Sequence, residues 1–248
     1  MKQIFLIIFI SLQPIILKAQ LSNAPDQITT SAGNLEIHPV LHGSIVFKWN
    51  NMDIFIDPYG GAGRYANYDK PDLILISHPH DDHMDLETLA DIDTSDAIFI
   101  VPQAVADEFP AVYANQTVVL ANGESHEIKG ITVKAVPMYN LPEEGARHAK
   151  GWGNGYVLSF GDKDIYVSGD TEDIPEMRAL TDIDIAFVCM NLPYTMDINQ
   201  AASAVLEFEP AIVYPYHHRG QDISQFKALV DAGNKPIEVR LKGWYPAN

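Results

Sequence analysis

Two kinds of residue are scarce in this chain, namely cysteine and the basic residues. Cys189 is the single cysteine among 248 residues, which excludes an intramolecular disulfide and a thiolate-rich zinc site. Lysine and arginine number 16 against 33 aspartates and glutamates, so the net charge is −17. Binding to a phosphate backbone or to an anionic membrane surface needs clustered basic residues. We therefore expect no nucleic-acid partner, and any metal must be held by nitrogen and oxygen ligands.

The sequence also lacks internal repeats, low-complexity segments and an internal linker. Its length and its 47% of hydrophobic residues are typical of one globular domain with a large core. We predict a signal peptide over residues 1–19, a flexible lead-in of polar and small residues over residues 20–34, and a single domain over residues 35–248. The expected partner is a small-molecule substrate, and the sequence does not indicate an oligomeric state.

The predicted signal peptide depends on one short apolar segment. Lys2 is followed by an unbroken run of Ile, Phe and Leu over Ile4–Ile10. A segment that ends at Leu17 is too short to span a bilayer comfortably, but it fits the core of a signal peptide. Cleavage after Ala19 would leave no cysteine nearby for lipid attachment. We therefore expect an exported, periplasmic protein without a stable membrane anchor, and a buried N-terminal strand or helix is the alternative.

Apolar runs predict strands along the rest of the chain. Hairpin turns join several early runs, and helical periodicity becomes clear from Ile198 onward, with Asp197 as an N-cap candidate. Hairpin-linked strands followed by alternating strands and helices indicate an α/β fold with two packed sheets and helices outside. The predicted strands are Leu35–His38, Ser44–Trp49, Met52–Asp57, Leu73–Ser77, Ile98–Val101, Ile131–Val136, Tyr156–Phe160, Ile165–Ser168, Ile185–Cys189 and Ile212–Tyr214. The weaker helical predictions are Leu86–Ala90, Pro102–Glu108, Pro175–Leu180 and Ile223–Ala232.

Three histidines and two aspartates lie within six residues, directly after a buried-strand run. The run Leu73–Ser77 ends in His78-Pro79-His80-Asp81-Asp82-His83, and such polar groups are costly to bury without a partner. On an extended segment His78 and His80 point the same way, so both can bind one metal. Asp82 and His83 begin the next element and can turn toward a second metal. A solvated polar loop is the alternative.

Two later strands also end in residues that can bind a metal. Asp170 follows Ile165–Ser168 and could bridge two cations, although Gly-Asp-Thr alone is more often a structural turn. Ile212–Tyr214 leads toward His217 and His218, of which only one should be a ligand because neighbouring side chains rarely face one point. Three strand ends with nitrogen and oxygen ligands predict an open site for metal-activated water. Zn²⁺ fits these ligands best. Mn²⁺ or Fe²⁺ is the alternative, because part of the ligand set consists of carboxylate oxygens.

This set of residues resembles the metal-binding pattern of the metallo-β-lactamase superfamily. The block His-x-His-x-Asp-His is followed by Gly-Asp-Thr and by a late Pro-Tyr-His, and a hairpin that ends in Ile56-Asp57-Pro58 precedes it. The stretches Val136–Asn140 and Tyr194–Asp197 are similar to the branch that includes the ascorbate-6-phosphate lactonases and the N-acylphosphatidylethanolamine phospholipase D type. The resemblance implies an αββα sandwich of two mixed β-sheets with outer helices and with metals at one edge.

The resemblance also implies a set of ligands for one or two metal ions. It places His78 and His80 on the first metal, and it places Asp170 between the two metals. The second metal would be held by Asp82, His83 and His217.

The sequence departs from the family pattern at one ligand. The superfamily normally has a third histidine for the first metal at the end of the strand Ile131–Val136, and this chain has none there. His148, in a glycine-rich stretch that could fold back, is the best substitute, and Tyr139 is a second candidate. A plain surface histidine is an equal alternative for His148, so a single-metal enzyme stays open.

Several further residues are secondary candidates, each with a structural alternative. Asp57 could orient a ligand histidine or cap its hairpin. Three cations could hold an anionic substrate group or be solvated charges, namely Arg147, Lys150 and Arg219. Three aromatic residues could line the pocket or belong to the core, namely Trp152, Tyr194 and Tyr216. Three histidines outside the pattern receive no role, namely His38, His42 and His126.

The preferred hypothesis is hydrolysis of an ester, lactone or phosphodiester by a metal-bound hydroxide, with a β-lactam also open as substrate. Asp82 is expected to orient the hydroxide while it binds metal, and His218 or Tyr194 to protonate the leaving group. One alternative is a non-catalytic exported protein that uses metal structurally or to sequester zinc. Another is a di-iron oxidoreductase of the same fold, although this chain has no length left for the flavin domain that such enzymes usually carry.

Overall fold

The computed structural model describes residues 21–245, which form fourteen β-strands and five α-helices. The strands are β1 Asp26–Thr30, β2 Gly33–Leu41, β3 Ser44–Trp49, β4 Met52–Ile56, β5 Leu73–Leu75, β6 Ile98–Val101, β7 Thr117–Val119, β8 Ser125–Ile128, β9 Ile131–Met138, β10 Gly153–Phe160, β11 Lys163–Val167, β12 Ile185–Cys189, β13 Ile212–Tyr216 and β14 Glu238–Val239. The helices are α1 Leu86–Asp91, α2 Gln103–Glu108, α3 Pro175–Arg178, α4 Ile198–Phe208 and α5 Ile223–Ala232.

The strands form two seven-stranded sheets that share one plan. The first sheet runs from β1 to β7 and the second from β14 to β8, each in sequence order. In each sheet the first four strands along the chain pair antiparallel and the last three add in parallel. Parallel strands of one sheet end at the same edge. The loops that follow β4, β5, β11, β12 and β13 can therefore carry side chains to a common site.

Side chains of the first sheet alternate between two cores. Ile45 and Phe47 face the second sheet, where the Phe47 ring lies 5.8 Å from the rings of Phe160 and Phe187. Val46, between them, packs in the outer core, which contains side chains of α1 and α2. This period of two is the alternation expected of a strand buried on both faces. Each fully buried phenylalanine contributes about 1.5–3 kcal/mol. The predicted αββα sandwich of two mixed sheets is confirmed.

The predicted flexible lead-in was wrong over residues 26–34, because β1 and the start of β2 occupy them. β1 pairs antiparallel with β2 from Asp26 to Thr30, and Ile28 packs against the main core. Asp26 accepts hydrogen bonds of 2.6 Å from the Tyr214 hydroxyl and from Lys242 Nζ. The polar composition of this segment is therefore that of an edge strand, in which a single apolar side chain packs against the core.

The predicted signal peptide lies outside the described residues. Within residues 21–245, none of the helices combines the length and the apolar character needed to cross a membrane.

Candidate metal centre

Five chain segments bring histidines and aspartates together at one edge of the sandwich. The block His78–His83 follows β5, Asp170 follows β11 and His217 follows β13. His148 belongs to the loop between β9 and β10, and His42 to the turn between β2 and β3. Within residues 21–245 these side chains form three groups whose ligand atoms lie within 4.8 Å of one another: His78, His80 and His148; His78, His83 and Asp170; His42, Asp82 and His217.

The first set of candidate ligands consists of three histidines. His78 Nε2 lies 2.9 Å from His80 Nδ1, and His148 Nε2 lies 3.3 Å from the same atom. Ligand atoms of a tetrahedral zinc site with Zn–N bonds of about 2.0–2.1 Å are about 3.3 Å apart. The spacing of these three nitrogens therefore suits one cation.

His148 joins this set because its loop folds back onto the end of β9. Asn140 Oδ1 accepts a 2.9 Å hydrogen bond from the His148 backbone N–H and lies 2.9 Å from His148 Nδ1. That contact places the ring proton on Nδ1 and leaves Nε2 free to face His80. His148 is fully buried, so it is not a surface histidine. Tyr139 points away, since its hydroxyl donates to Glu176 at 2.9 Å, and the geometry favours His148 as the third ligand.

The second set combines two histidines and two aspartates. His83 Nε2 lies 3.1 Å from His217 Nε2. Asp170 Oδ1 lies 3.2 Å from His217 Nε2 and 3.5 Å from His83 Nε2. Asp82 Oδ2 lies 3.9 Å from His217 Nε2. Two nitrogens and two carboxylate oxygens thus converge on a second point.

Asp170 connects the two sets. Its Oδ1 faces the second set, and its Oδ2 lies 3.6 Å from His148 Nε2 in the first. The side chain is buried, and within the described part of the chain Oδ1 accepts no hydrogen bond. A buried carboxylate oxygen without a donor is costly unless a cation balances it. This oxygen and the nitrogen–oxygen donor set therefore fit divalent metal ions.

Asp57 supports one histidine of each set. Its carboxylate accepts 2.7 Å hydrogen bonds from the Ser77 backbone N–H and hydroxyl, and its Oδ2 lies 2.8 Å from His83 Nδ1. The Ser77 hydroxyl also lies 2.9 Å from His78 Nδ1. Such partners fix the orientation and tautomer of ligand histidines. Of the two interpretations made from sequence, the geometry supports the one in which Asp57 orients a ligand.

Burial and neighbouring charge set the protonation of the cluster. Burial lowers the pKa of His148 to about 4 and that of His217 to about 3, so both rings are neutral and free to bind a cation at neutral pH. For His83 burial acts in the same direction, but the Asp170 and Asp57 carboxylates outweigh it and raise the pKa well above 6.5. A metal ion bound by His83 must therefore displace a proton.

His42 belongs to the cluster, although the sequence offered no role for it. It is buried, its Nε2 donates a 2.9 Å hydrogen bond to Asp82 Oδ2, and its Nδ1 lies 2.8 Å from the Tyr245 hydroxyl. Although burial opposes it, the bond from His42 holds the pKa of Asp82 well below its usual range. The feature of the sequence that could have indicated this role for His42 is the neighbouring glycine. A Cβ on Gly43 would lie 3.1 Å from His83 Cε1, so this turn must approach the ligands closely.

We expect His42→Ala to lower kcat/KM by about 10- to 100-fold, because partners that orient metal ligands have effects of this size. Tyr245→Phe, which removes only the hydroxyl facing His42 Nδ1, should have a smaller effect. The measurement is steady-state kinetics together with metal content. His38→Ala is the control, since His38 in the same hairpin bonds Glu36 instead. An unchanged kcat/KM in His42→Ala would contradict this role.

The candidate ligands face an open cleft of about 260 Å³. Tyr194 and two of the predicted cations, Arg147 and Arg219, lie on its wall. The third cation, Lys150, instead pairs with Glu176 at 2.9 Å. The complete wall consists of Tyr59, His80, Asp81, Asp82, Arg147, Asp170, Asn191, Tyr194 and Arg219.

Three other residues that the sequence suggested for the site lie behind or beside this cleft. His218 is absent from the wall, and its ring packs against Tyr245 with centroids 4.9 Å apart. Because His217 turns toward the ligands with a φ of +47°, its neighbour His218 is directed elsewhere, so the structure does not place His218 as a proton donor. Trp152 packs against the His80 ring at 4.9 Å. Tyr216 is a core residue whose hydroxyl accepts from the Gly169 backbone N–H.

Comparison with known proteins assigns this site to a family. The beta-lactamase superfamily domain matches residues 36–217, a range that contains every candidate ligand described above. The chain belongs to this superfamily of metal-dependent hydrolases. The narrower branch suggested by the sequence stays a prediction.

Three relatives illustrate the extent of the similarity. A UPF0173 metal-dependent hydrolase from Thermoplasma acidophilum is 30% identical over 230 residues, covering 83% of this chain and 99% of that protein. Another from Pyrococcus horikoshii is 30% identical over 204 residues, covering 76% of this chain and 88% of that protein. A solved structure described as a metal-dependent hydrolase from Parabacteroides distasonis is 36% identical, with a TM-score of 0.81, and covers 90% of this chain and 99% of that one. This superfamily member is therefore similar to hydrolases over nearly their whole length.

Proposed function

We propose that this superfamily member hydrolyses an ester, lactone or phosphodiester bond of a small molecule. The observation that carries the proposal is the placement of the two candidate ligand sets, joined by Asp170, against an open cleft. His80, Asp82 and Asp170 reach the cleft wall. Structural metal sites are closed by protein ligands, whereas catalytic sites keep a position open for water or substrate. The open cleft supports a catalytic site.

The chain's own residues would orient the reaction. Divalent cations held by these ligands would lower the pKa of water toward neutrality and would polarise the bond to be cleaved. Asp57 would hold His83, and His42 would hold the Asp82 carboxylate that orients the attacking water. Tyr194, on the same cleft wall, is the remaining candidate for protonating the leaving group.

We assign Zn²⁺ as the metal, one or two ions per chain, with Mn²⁺ or Fe²⁺ as the alternative. Histidine nitrogens dominate the candidate ligands, and imidazole suits zinc, whereas carboxylates also accept manganese. We also propose export to the periplasm, which rests on the N-terminal sequence alone.

We expect metal-dependent turnover of at least one of three probes: 4-nitrophenyl acetate, the lactone dihydrocoumarin and bis(4-nitrophenyl) phosphate. Chelation should lower the rate at least about 100-fold and Zn²⁺ should restore it, because the metal supplies the nucleophile. Metal content is measured on the same samples. Tightly bound metal with no turnover of any probe would contradict hydrolysis and favour zinc sequestration, and turnover by metal-free protein would contradict the mechanism.

A further inference from the structure

Two positive charges on the cleft wall are unusual for so acidic a protein. Residues 21–245 contain fourteen of the chain's lysines and arginines, since only Lys2 and Lys18 precede them. Ten of these fourteen form ion pairs within that part of the chain. The four that form none there are Arg64, Lys134, Arg147 and Arg219. Two of these four, Arg147 and Arg219, lie on the wall of one cleft.

Both arginines are held in place by their surroundings. The Arg147 guanidinium lies 4.6 Å from the centre of the Tyr194 ring, an arrangement that orients it without neutralising its charge. The Arg219 backbone N–H donates a 3.0 Å hydrogen bond to the Tyr245 hydroxyl, and its φ is +42°. Arg147 directly precedes the candidate ligand His148, and Arg219 follows His217 by two residues. The Tyr194 ring thus orients the Arg147 side chain, and the backbone of Arg219 is held close to the candidate ligand His217.

The three carboxylates on the same wall do not form ion pairs with either arginine. Asp82 receives the hydrogen bond from His42, and Asp170 lies among the candidate ligands. Asp81 is exposed and forms no ion pair with either arginine in the described region. The chain has 33 aspartates and glutamates against 16 lysines and arginines, yet within residues 21–245 neither guanidinium forms an ion pair. Leaving them unpaired preserves hydrogen-bond donors for a ligand.

We propose that Arg147 and Arg219 bind a carboxylate or phosphate group of the substrate, at a distance from the bond that is cleaved. Guanidinium groups present planar, paired donors that match both of these oxyanions. This inference rests on the proposed hydrolysis and specifies its substrate class: a small anionic ester or lactone. The negative charge of the protein surface disfavours the approach of such an anionic molecule. The two arginines would offset this repulsion at the place where the molecule binds.

The test compares 4-nitrophenyl esters with and without an anionic group remote from the ester bond. The probes are 4-nitrophenyl acetate, the 4-nitrophenyl monoester of succinate and the 4-nitrophenyl ester of phosphoglycolate. We expect at least tenfold higher kcat/KM for one charged ester than for the acetate, and which one is favoured distinguishes carboxylate from phosphate. In R147Q/R219Q the ratio of kcat/KM for the charged ester to kcat/KM for the acetate should fall at least about tenfold, mainly through a higher KM for the charged ester. Lys134→Gln removes another cation that forms no ion pair within residues 21–245, and it should leave kcat/KM for all three esters unchanged.

A binding measurement keeps the inference separate from turnover. Titration calorimetry with succinate and with inorganic phosphate should show at least tenfold weaker binding of one of them to R147Q/R219Q than to the unsubstituted protein. Equal kcat/KM for charged and neutral esters, or equal binding of both anions by the two proteins, would overturn the proposal while leaving hydrolysis intact. Absence of all turnover together with the expected loss of anion binding would overturn the proposed hydrolysis alone.

Discussion

Replacing Asp170 with asparagine should lower kcat/KM by at least about 1,000-fold without unfolding the protein. Asp170 faces both sets of candidate ligands through different oxygens, so the amide keeps the shape of the side chain but removes the negative charge that would help to hold the metal. A loss of several kcal/mol of electrostatic stabilisation corresponds to this factor. Metal content should fall at the same time to one ion per chain or fewer. Kinetics and elemental analysis of the purified variant measure both effects.

Two further variants and one control test whether the loss of activity is specific to the candidate ligands. His80→Ala and Asp82→Ala should also lose activity while retaining their circular dichroism spectrum, because each removes one candidate ligand at the cleft wall. Asp91→Asn, an exposed aspartate at the end of α1, is the matched control and should keep full activity. Full activity and unchanged metal content in Asp170→Asn would exclude the bridging role.

Much of the fold could be predicted because local chemistry and tertiary structure agree in many elements. A turn at Asn50 and Asn51 joins the predicted strands β3 and β4, and both residues have positive φ, which asparagine tolerates better than most residues. Asp197 begins α4 with a complete capping box to Gln200. The helices predicted from weaker helical periodicity are also present in the structure. They form because their apolar side chains, at helical spacing, pack against a sheet.

The elements that were missed depend on distant partners instead of local pattern. β1 carries one apolar residue, the partly buried Ile28, among polar ones, and its pairing with β2 decides its structure. β8 is mostly polar and exposed, and it forms by extending the antiparallel pairs of the second sheet. Such short edge strands lack the length of apolar alternation that identifies a strand from sequence.

The same distinction separates the predicted ligands from the ones that sequence left open. His78 and His80 share one strand end, so their juxtaposition follows from extended geometry alone. His148 reaches the same point only because Asn140 binds its loop, and His42 only because Gly43 lets a hairpin turn approach His83. These contacts span loops whose paths the local sequence does not determine. A linear pattern therefore left His148 as one of two candidates and gave His42 no role.

Zn²⁺ should raise the Tm of the metal-free protein by about 8–16 °C at pH 7.5. Metal at about 1,000 times its dissociation constant stabilises the folded state by about 4.1 kcal/mol, and for a chain of this length each kcal/mol corresponds to about 2–4 °C. The buried candidate ligands, including the unpaired Asp170 oxygen, gain a partner only in the folded state. Differential scanning calorimetry after chelation and readdition of zinc gives the shift.

The dependence of stability on pH follows from the shifted histidines. In the unfolded chain histidines bind protons below about pH 6.5, whereas buried His148 and His217 stay neutral down to pKa values of about 4 and 3. The unfolded state therefore binds more protons between pH 6.5 and 4, so the free energy of unfolding of the metal-free protein falls as the pH falls. His83 acts in the opposite direction: its raised pKa contributes stability below pH 6.5 that is lost as the pH rises through the folded value. Burial also lowers the pKa of His78, His80 and His218, so five histidines with a lowered pKa stand against one with a raised pKa.

Protons and zinc compete for the same nitrogens, so the zinc-induced shift in Tm should shrink at pH 5. The competition is strongest at His83, where the Asp170 and Asp57 carboxylates stabilise the proton that the metal must displace. His148→Asn removes one neutral ligand and should reduce the shift at pH 7.5 while leaving His83 and its proton in place. His126→Asn, whose site lies on β8 away from the cleft, should behave like the unsubstituted protein. A shift of equal size at pH 5 and pH 7.5 would mean that His83 does not bind the metal, because a ligand with a proton to lose cannot give a pH-independent affinity.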